Sequence, residues 1–471
     1  MLRLLAVLTC LACSIALSPE GVRPAAGATT RAYVVCSDYV TGALAAVHLD
    51  TRAVTPYVEP TGADAVVRWH DGLVWVVNRF GADNLQAIDP TSGATVRQFS
   101  TGNGSNPQDV AFVSPVKAYV SLYESATLLI VNPATGAVTG GISLAPFADA
   151  DGLPEAARMV RVDTRVFVAL QRLDRNAGFQ PENPSWIAVV DATADTLLDA
   201  DPALPGKQAI VLAARNPVST FAFDRGASRL LVACAGRYGV ADGGIEAVDP
   251  VGLASLGVVA GEAALGGDVL DVAWHAAGHS YAVVSDAAFN TSLVAWSAVT
   301  GGALGSVYAP GGFSLSDAEV NDRGEVWVAN SSFLAPGLYV FRAGADTLLA
   351  GPLDCGLPPF SLAFDQDAGT VLDAPRAAPV GTLLAGPWPN PARGAARFAL
   401  TLPVAGEAAV EVFDAAGRRV ATLARGALAA GRHDVAWDLK DGAGSPVPPG
   451  VYVVSARSGA ARAARRVAIV R

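Results

Sequence analysis

A short turn recurs seven times along the chain, and its spacing constrains the fold more than any other feature of the sequence. In most copies Asp or Asn follows an apolar strand, and Pro, Thr or Gly comes next. The Asp or Asn side chain caps the turn, Pro fixes φ and Gly accepts the left-handed conformation, so each copy is expected to join two antiparallel strands. The copies are about 40 to 60 residues apart and lie at 49–51, 88–93, 131–136, 190–193, 248–250, 296–301 and 341–344.

Each turn follows a segment of β-branched and aromatic residues that favours an extended strand. We assign these segments to the second strand of each repeat, and they lie at 33–35, 75–77, 119–121, 167–169, 231–233, 282–284 and 327–329. Matching first strands precede them, for example at 109–112, 220–223 and 270–274. One four-stranded sheet cannot bury both of its faces, whereas radial stacking of seven sheets covers them. The sequence therefore predicts an all-β fold with a seven-bladed β-propeller over residues 31–373.

The first repeat lacks a first strand, because Tyr33 begins a second strand close to the start of the repeat region. A surplus first strand, residues 360–367, follows the seventh turn. We expect this segment to pair with the strand at Tyr33 and to close the ring without the terminal caps that a solenoid needs.

Both ends of the chain differ from the repeats. Residues 1–28 contain Arg3 and an apolar run of secretory-signal length, so we expect a signal peptide and export. A lipid anchor on Cys13 is the alternative to simple release. Residues 374–386 are rich in Pro, Ala and Gly and predict a linker. Short alternating strands with Gly turns then predict a small Ig-like β-sandwich over residues 387–471.

Charge is distributed unevenly along the chain. The formal net charge is −10, yet residues 387–471 carry twelve Lys and Arg against six Asp and Glu. The acidic body argues against nucleic acid as a partner, because phosphate binding needs a clustered cationic face. The basic tail is either a solvated surface or a docking site for secretion machinery or an anionic cell surface.

Two resemblances follow from these motifs. The apolar strand with its Asp-Pro-x-Thr-Gly turn resembles the YVTN- or YncE-type β-propellers, WD40-like repeat proteins of bacterial and archaeal surfaces. The tail resembles a flagellar-hook-cap (FlgD-type) Ig-like domain, as used for type IX (T9SS) secretion sorting, on the segments 389–391, 414–418, 430–433, Trp437 and 449–452. The resemblances imply a bacterial extracellular or cell-surface location, with the tail serving export or surface attachment.

Catalytic motifs are missing from the sequence. Its five histidines, at 48, 70, 275, 279 and 433, have no metal-ligand or triad spacing, and no Gly-x-Ser-x-Gly elbow or phosphate loop occurs. We therefore expect a non-catalytic binding protein. A protein or glycan adhesion scaffold and a lactonase-like hydrolase, which would use the same kind of propeller, are the alternatives.

The candidate binding site lies on the face that carries the loops between second and third strands. One aromatic residue occurs in each of these loops, and polar residues accompany them. The aromatic residues are Tyr39, Phe80, Tyr123, Phe179, Tyr238, Phe289 and Phe333. The polar residues are Arg79, Glu124, Arg172, Arg237, Asp286 and Asn330. Such rings provide rigid contact area and the polar groups orient a ligand, although each ring could instead pack between blades.

Two further sites are predicted. Asp149, Asp151 and Glu155 offer oxygen ligands at short spacing, which is compatible with calcium or with a simple capped turn. No other cofactor is expected. Cys36 and Cys355 should lie together where the ring closes, either as a disulfide or, with Cys234, as buried thiols.

Overall fold

The computed structural model describes residues 29–365, 384–388, 392–402, 406–414, 418–428, 431–458 and 461–470. The predicted signal peptide, the candidate lipid anchor and most of the predicted linker lie outside these residues. The described chain is nearly all β, and residues 29–365 form seven antiparallel sheets whose first strands surround a central channel. The predicted seven-bladed β-propeller is confirmed.

Each blade runs from a first strand at the channel to a fourth strand at the rim. Blade 1 consists of β29 (Pro359–Phe364), β1 (Arg31–Ser37), β2 (Gly42–His48) and β3 (Val54–Thr61). Blade 2 consists of β4 (Ala65–His70), β5 (Leu73–Asn78), β6 (Asn84–Ile88) and β7 (Thr95–Ser100). Blade 3 consists of β8 (Pro107–Ser114), β9 (Lys117–Leu122), β10 (Thr127–Asn132) and β11 (Ala137–Ser143). Blade 4 has a fifth strand and consists of β12 (Ala156–Val162), β13 (Arg165–Leu170), β14 (Trp186–Asp191), β15 (Thr196–Leu197) and β16 (Ile210–Val211).

The remaining three blades follow the same order. Blade 5 consists of β17 (Ala222–Asp224), β18 (Arg229–Cys234), β19 (Gly244–Asp249) and β20 (Ala254–Gly261). Blade 6 consists of β21 (Asp268–Ala276), β22 (His279–Ser285), β23 (Thr291–Ser297) and β24 (Gly302–Tyr308). Blade 7 consists of β25 (Leu315–Val320), β26 (Glu325–Asn330), β27 (Gly337–Arg342) and β28 (Thr347–Leu353). Short helical turns lie in the connections: α1 (Glu262–Leu265) and 3-10 turns at Ala145–Phe147 and Arg175–Ala177.

Burial explains the strand sequences. The second strand β5 is almost continuously buried, because neighbouring blades cover both of its faces, whereas the rim strand β7 alternates between half-buried and exposed residues. The recurring turns form as predicted: the Asp89 carboxylate accepts the N–H of Thr91 at 2.8 Å, and Gly93 has a φ of 72°. Large side chains such as Trp296 fill the layers between adjacent sheets.

The ring closes by the predicted overlap. Strand β29 pairs antiparallel with β1, with Leu362 opposite Val34. The carboxylate of Asp365, directly after β29, accepts the N–H groups of Thr30 and Arg31 at 2.7 and 3.0 Å. Two segments more than 300 residues apart in sequence thereby form one blade, and the sheet edges that an open ring would expose are paired.

The C-terminal segment is a β-sandwich of two antiparallel sheets. One sheet contains β30 (Leu384–Trp388), β31 (Ala396–Leu402) and β34 (Gly431–Trp437). The other contains β33 (Arg419–Leu428), β32 (Gly406–Phe413), β35 (Gly450–Ser458) and β36 (Ala461–Ile469). The first strand begins inside the predicted linker, because Leu384 pairs with Leu400 and is fully buried in the sandwich core. In the part of the chain that the structure describes, no helix has the length and apolar character required to cross a bilayer.

Candidate functional site

A cavity of about 340 Å³ occupies one end of the central channel. Residues of the first strands line it, including Arg68, Arg158, Asp271 and Asp317, and Tyr39 reaches it from the loop between β1 and β2. This end carries the loops between second and third strands, the face predicted from the sequence. The volume falls in the range of small-molecule sites.

All seven predicted aromatic residues lie in these loops, one per blade. Six of the rings are exposed, so they do not pack between blades as the alternative interpretation held; Tyr123 is half-buried. Tyr39 lies 6.0 Å from Phe333 and 5.2 Å from Phe360 between ring centroids. Of the predicted aromatic residues, Tyr39 lines the cavity and the others lie farther out on the same face.

The Tyr39 loop is held in a rare conformation. Tyr39 has a φ of 68°, in the left-handed region that bulky residues seldom adopt. Its N–H donates to the Ser37 hydroxyl at 2.9 Å, and the Asp38 carboxylate accepts the N–H groups of Val40 and Thr41 at 2.9 and 2.6 Å. Strain that is fixed by surrounding hydrogen bonds is typical of binding loops. The Tyr39 ring is thus presented at the mouth by a well-braced turn.

Charged residues of the first strands connect one blade to the next. The fully buried Asp109 carboxylate accepts from Arg68 Nε at 2.9 Å and from the N–H of Met159, in blade 4, at 2.9 Å. Blades 6 and 7 repeat this arrangement: Asp271 accepts the N–H of Ala318 at 2.9 Å. These carboxylates satisfy backbone donors at the channel and hold the first strands in register.

Two of the channel carboxyl groups have perturbed acidities. Burial, and then the nearby Asp317 carboxylate, raise the pKa of Asp271 to about 8. Burial raises the pKa of Asp317 as well. Burial, and then the positive fields of Arg79 and Arg68, lower the pKa of Arg158 to about 10. At neutral pH the acid pair therefore retains a proton, while Arg158 stays charged.

The structure does not support the calcium prediction, because an arginine lies beside two of the three carboxylates. Arg175 Nε lies 2.8 Å from Glu155 and 3.6 Å from Asp151, and Asp149 instead accepts from Asn183 Nδ2 at 2.7 Å. Burial, opposed by the Arg175 hydrogen bond, raises the pKa of Glu155 to about 7. Among the described residues, no group of three His, Cys, Asp or Glu side chains is arranged to hold a metal ion.

Two predicted polar contacts are also corrected. Arg172 is buried, stacks over Trp186 at 3.6 Å and donates to the backbone carbonyl of Pro184 at 2.7 Å, so it braces the blade 4 loop. Asn330 is buried and donates to the Tyr308 hydroxyl at 3.0 Å. Both side chains satisfy local structure and do not reach the mouth.

The other predicted polar residues remain at the surface of this face. Arg79 lines the cavity and pairs with Asp64 at 2.9 Å through Nε. Arg237 pairs with Glu182 at 2.7 Å. Glu124 accepts a hydrogen bond from Arg175. Asp286 accepts the backbone N–H of Asn290 and so caps the loop that contains Phe289.

Cys36 and Cys355 lie together in one core cluster, as predicted, but the disulfide is not formed: both are free, buried thiols. Each thiol donates to a backbone carbonyl two residues earlier in the chain, Cys36 to Val34 and Cys355 to Leu353, both at 3.6 Å. The neighbouring Cys355 thiol and then burial raise the pKa of Cys36 well above its usual range. Cys234 is a third buried thiol, in another cluster.

Sequence reasoning missed the channel residues Arg68, Arg158, Asp271 and Asp317. The available signal was a charged residue inside an otherwise apolar first strand, as in the segment 65–70. Charges are rarely placed in such strands unless they are paired or functional.

The opposite end of the channel also opens into a cavity, of about 690 Å³. Trp69, Trp274 and His275 line it, at the end that carries the turns between first and second strands. Arg68 contacts both cavities. His275 therefore lies at the end of the channel opposite the aromatic loops.

Comparison with known proteins supports the C-terminal assignment. Residues 390–461 match the FlgD Ig-like domain. No curated protein matches the chain. Several solved structures resemble it at low identity. A functionally unknown protein from Desulfotomaculum acetoxidans is 13% identical, with a TM-score of 0.49, over 71% of this chain and 99% of that chain.

Two further structures have similar values. PorZ, a surface component of the type-IX secretion system of Porphyromonas gingivalis, is 13% identical, with a TM-score of 0.42, over 94% of this chain and 58% of its own. Apo AztD from Citrobacter koseri is 12% identical, with a TM-score of 0.44, over 73% of this chain and 100% of its own. Likeness at this level does not transfer a function.

Proposed function

We propose that this chain is an exported, non-catalytic binding protein whose propeller captures a ligand at the channel mouth beside Tyr39. The observation that carries the proposal is the cavity of about 340 Å³, which combines charged first-strand residues with a braced, exposed aromatic ring. Concave sites with few convergent polar groups and aromatic walls are typical of ligand recognition. A pair of carboxyl groups with raised pKa values at the same place supports a functional site.

The C-terminal sandwich serves export or surface attachment in this proposal. The match to the FlgD Ig-like domain and the excess of basic residues after residue 387 support this role. Several arginines of the sandwich are exposed, for example Arg418, whose side chain is 82% exposed. Secretion machinery of the type IX class or an anionic cell surface would be the partner. Deleting residues 387–471 should leave the propeller inside the cell envelope, which protease accessibility of intact cells measures.

An adhesion scaffold is the second candidate, and the exposed rim favours it. Phe80, Phe289 and Phe333 stand on the ligand face outside the cavity, and Leu334 is 99% exposed. A protein or glycan partner would cover these rings as well as the mouth. This candidate would be favoured if Phe80→Ala and Phe289→Ala lost partner binding while Tyr39→Ala bound the partner as well as wild type.

A hydrolase is the third candidate, because a carboxyl group that keeps its proton at neutral pH can act as a general acid. Asp271 is that group. Turnover of simple lactones by the wild-type chain, lost in Asp271→Asn, would establish this activity and contradict the non-catalytic proposal.

Unbiased ligand capture tests the main proposal. The purified chain is incubated with a small-molecule extract of culture medium and separated from free compounds, and the retained compounds are identified by mass spectrometry after denaturation. We expect Tyr39→Ala to reduce retention by about tenfold, the usual effect of removing a central aromatic contact. The matched control is Tyr57→Ala, since Tyr57 is 58% exposed but lies on the rim strand β3. Equal retention by wild type and Tyr39→Ala would contradict the proposal.

A further inference from the structure

The lining of the mouth cavity is divided by charge. Arg68 and Arg79 come from blade 2 and Arg158 from blade 4, whereas Asp271 and Asp317 come from blades 6 and 7. In a ring of seven blades these two sets lie on different sides of the channel. The cavity therefore has a cationic wall and an acidic wall.

The cationic wall contains a guanidinium without a counter-ion. Arg79 is paired with Asp64 and Arg68 with Asp109. Arg158 has no ion pair in the described part of the chain, and its Nη1 donates to the backbone carbonyl of Gln108 at 3.0 Å. Beside it, the buried Nη2 atom of Arg68 has no hydrogen-bond partner. Donors in this position can bind an anionic group, because an unpaired buried donor loses free energy that an acceptor would restore.

The acidic wall contains two neighbouring carboxyl groups. Asp271 and Asp317 line the same side of the cavity, and the charge of Asp317 reaches the Asp271 carboxyl group. One oxygen of each also accepts a backbone N–H of the next blade, from Ala318 at 2.9 Å and from Leu362 at 2.8 Å. Two adjacent carboxyl groups resist the loss of their last proton unless a cation takes its place. An ammonium group can supply that charge and donate to both side chains.

Uncharged groups complete the lining between the two walls. Ser219 and Thr220 of blade 5 contribute hydroxyl groups, and the rings of Tyr39 and Phe360 meet edge to face at 5.2 Å. These rings cover one side of the cavity and would contact the apolar part of a ligand.

We propose that the mouth cavity binds a small zwitterion, with its anionic group against Arg158 and its cationic group against the Asp271–Asp317 pair. This inference rests on the proposed ligand-capture function and adds the class of ligand. The charge of Arg158 acts on both acids across the cavity, but no ion pair of the described residues joins Arg158 to them. An anion alone would therefore leave the acid pair without a direct counter-ion, and a cation alone would leave Arg158 without one. Only a molecule with both charges, separated by a short spacer, satisfies both walls.

Titration calorimetry of the full chain with ω-amino acids tests this inference. The series runs from glycine through 4-aminobutyrate to 6-aminohexanoate, and each member is compared with the carboxylic acid and the alkylammonium ion of the same chain length. We expect one member to bind at least about tenfold more tightly than both of its singly charged analogues, as charge-assisted hydrogen bonds at each end require. Equal affinities of a zwitterion and its analogues at every length would overturn the inference.

Two variants test which residues bind the anionic and the cationic end of the ligand. Arg158→Gln should lower the affinity for the preferred ω-amino acid about tenfold or more and leave the affinity for the alkylammonium ion unchanged. Asp271→Asn should lower the affinity for the ω-amino acid in the same way and leave the affinity for the carboxylic acid unchanged. Retained affinity for one analogue shows that each variant is folded. The matched control is Arg161→Gln, on the same strand β12 but outside the cavity lining. Equal losses for all probes in Arg158→Gln would contradict the assignment.

The two proposals fail in different ways. If no ω-amino acid binds but the chain still retains a compound from the extract in a Tyr39-dependent manner, the zwitterion inference is wrong and ligand capture stands. If no compound of the extract is retained either, both proposals are wrong.

Discussion

The Asp317 carboxylate accepts a hydrogen bond at 2.8 Å from the backbone N–H of Leu362, in the strand that closes the ring. Asp109 and Asp271 make the same kind of contact to the following blade. The carboxyl groups at the channel therefore have two roles in this account. All three fix the first strands of neighbouring blades, and Asp271 and Asp317 also form part of the charged lining of the mouth.

Asp109→Ala tests the structural role. The change leaves the Arg68 guanidinium and the Met159 N–H without their partner at a buried site, so the free energy of unfolding should fall by about 3–5 kcal/mol. The midpoint of the propeller transition in urea measures the effect. As a control, Asp201→Ala alters only an exposed turn. Its free energy of unfolding should stay within about 0.5 kcal/mol of the wild-type value. A loss below about 1 kcal/mol for Asp109→Ala would argue against the bridging role.

The sequence was sufficient to predict the blades but not the channel. The Asp-Pro-x-Thr-Gly turns and the surplus strand at Leu362 are local patterns, so blade number and ring closure followed from them. The lining of the channel depends on which face each first-strand residue presents at the axis. Arg158 and Asp317 are far apart in sequence, and no local sequence pattern shows that both line the same cavity. The same limit applies to Arg175, whose position among the carboxylates of blade 4 required the folded loop.

Ring closure can be tested by truncation. A chain that ends after Asp365 keeps β29 and should have the same oligomeric state as the full chain. A chain that ends before Pro359 leaves the edge of β1 unpaired, and we expect it to aggregate or to pair edges between molecules. Size-exclusion chromatography with light scattering distinguishes the two outcomes. A soluble, monomeric shorter chain with an unchanged melting temperature would contradict closure by β29.

The raised pKa of Asp271 predicts that the stability of the propeller depends on pH. Its pKa is about 8 in the folded chain, against 3.8 as its ordinary value. The folded state thus holds the proton more tightly, and stability is lost as the pH rises toward 8. Glu155 and Glu262, each with a pKa raised to about 7, act in the same direction.

The melting temperature of the propeller should therefore fall as the pH rises from about 5 to about 8. The melting temperature of Asp271→Asn should fall less steeply over the same range than that of wild type. Differential scanning calorimetry at several pH values measures both slopes. Equal slopes for Asp271→Asn and wild type would show that this carboxyl group does not hold its proton in the folded chain.

The Cys36 and Cys355 thiols predict a response to oxidation. Because the two side chains are neighbours in one cluster, a thiol oxidant should join them, with the loss of two hydrogens in mass spectrometry of the intact chain. The reaction should be slow, because both thiols are buried and the pKa of Cys36 is raised. The bond would link the two ends of the ring and should raise stability by about 2–4 kcal/mol. Cys234→Ser should behave like wild type, whereas Cys36→Ser should show no gain. Oxidant-treated wild type with an unchanged mass would contradict this prediction.

Hydrogen–deuterium exchange of the full chain, with and without a ligand recovered by capture, shows where on the propeller the ligand binds. We predict slower exchange with ligand in the loops that border the mouth, at residues 38–41, 61–64 and 217–220, and no change in the rim strands. Protection confined to the rim strands or to the C-terminal sandwich, with the mouth loops unaffected, would contradict ligand capture at the end of the channel beside Tyr39.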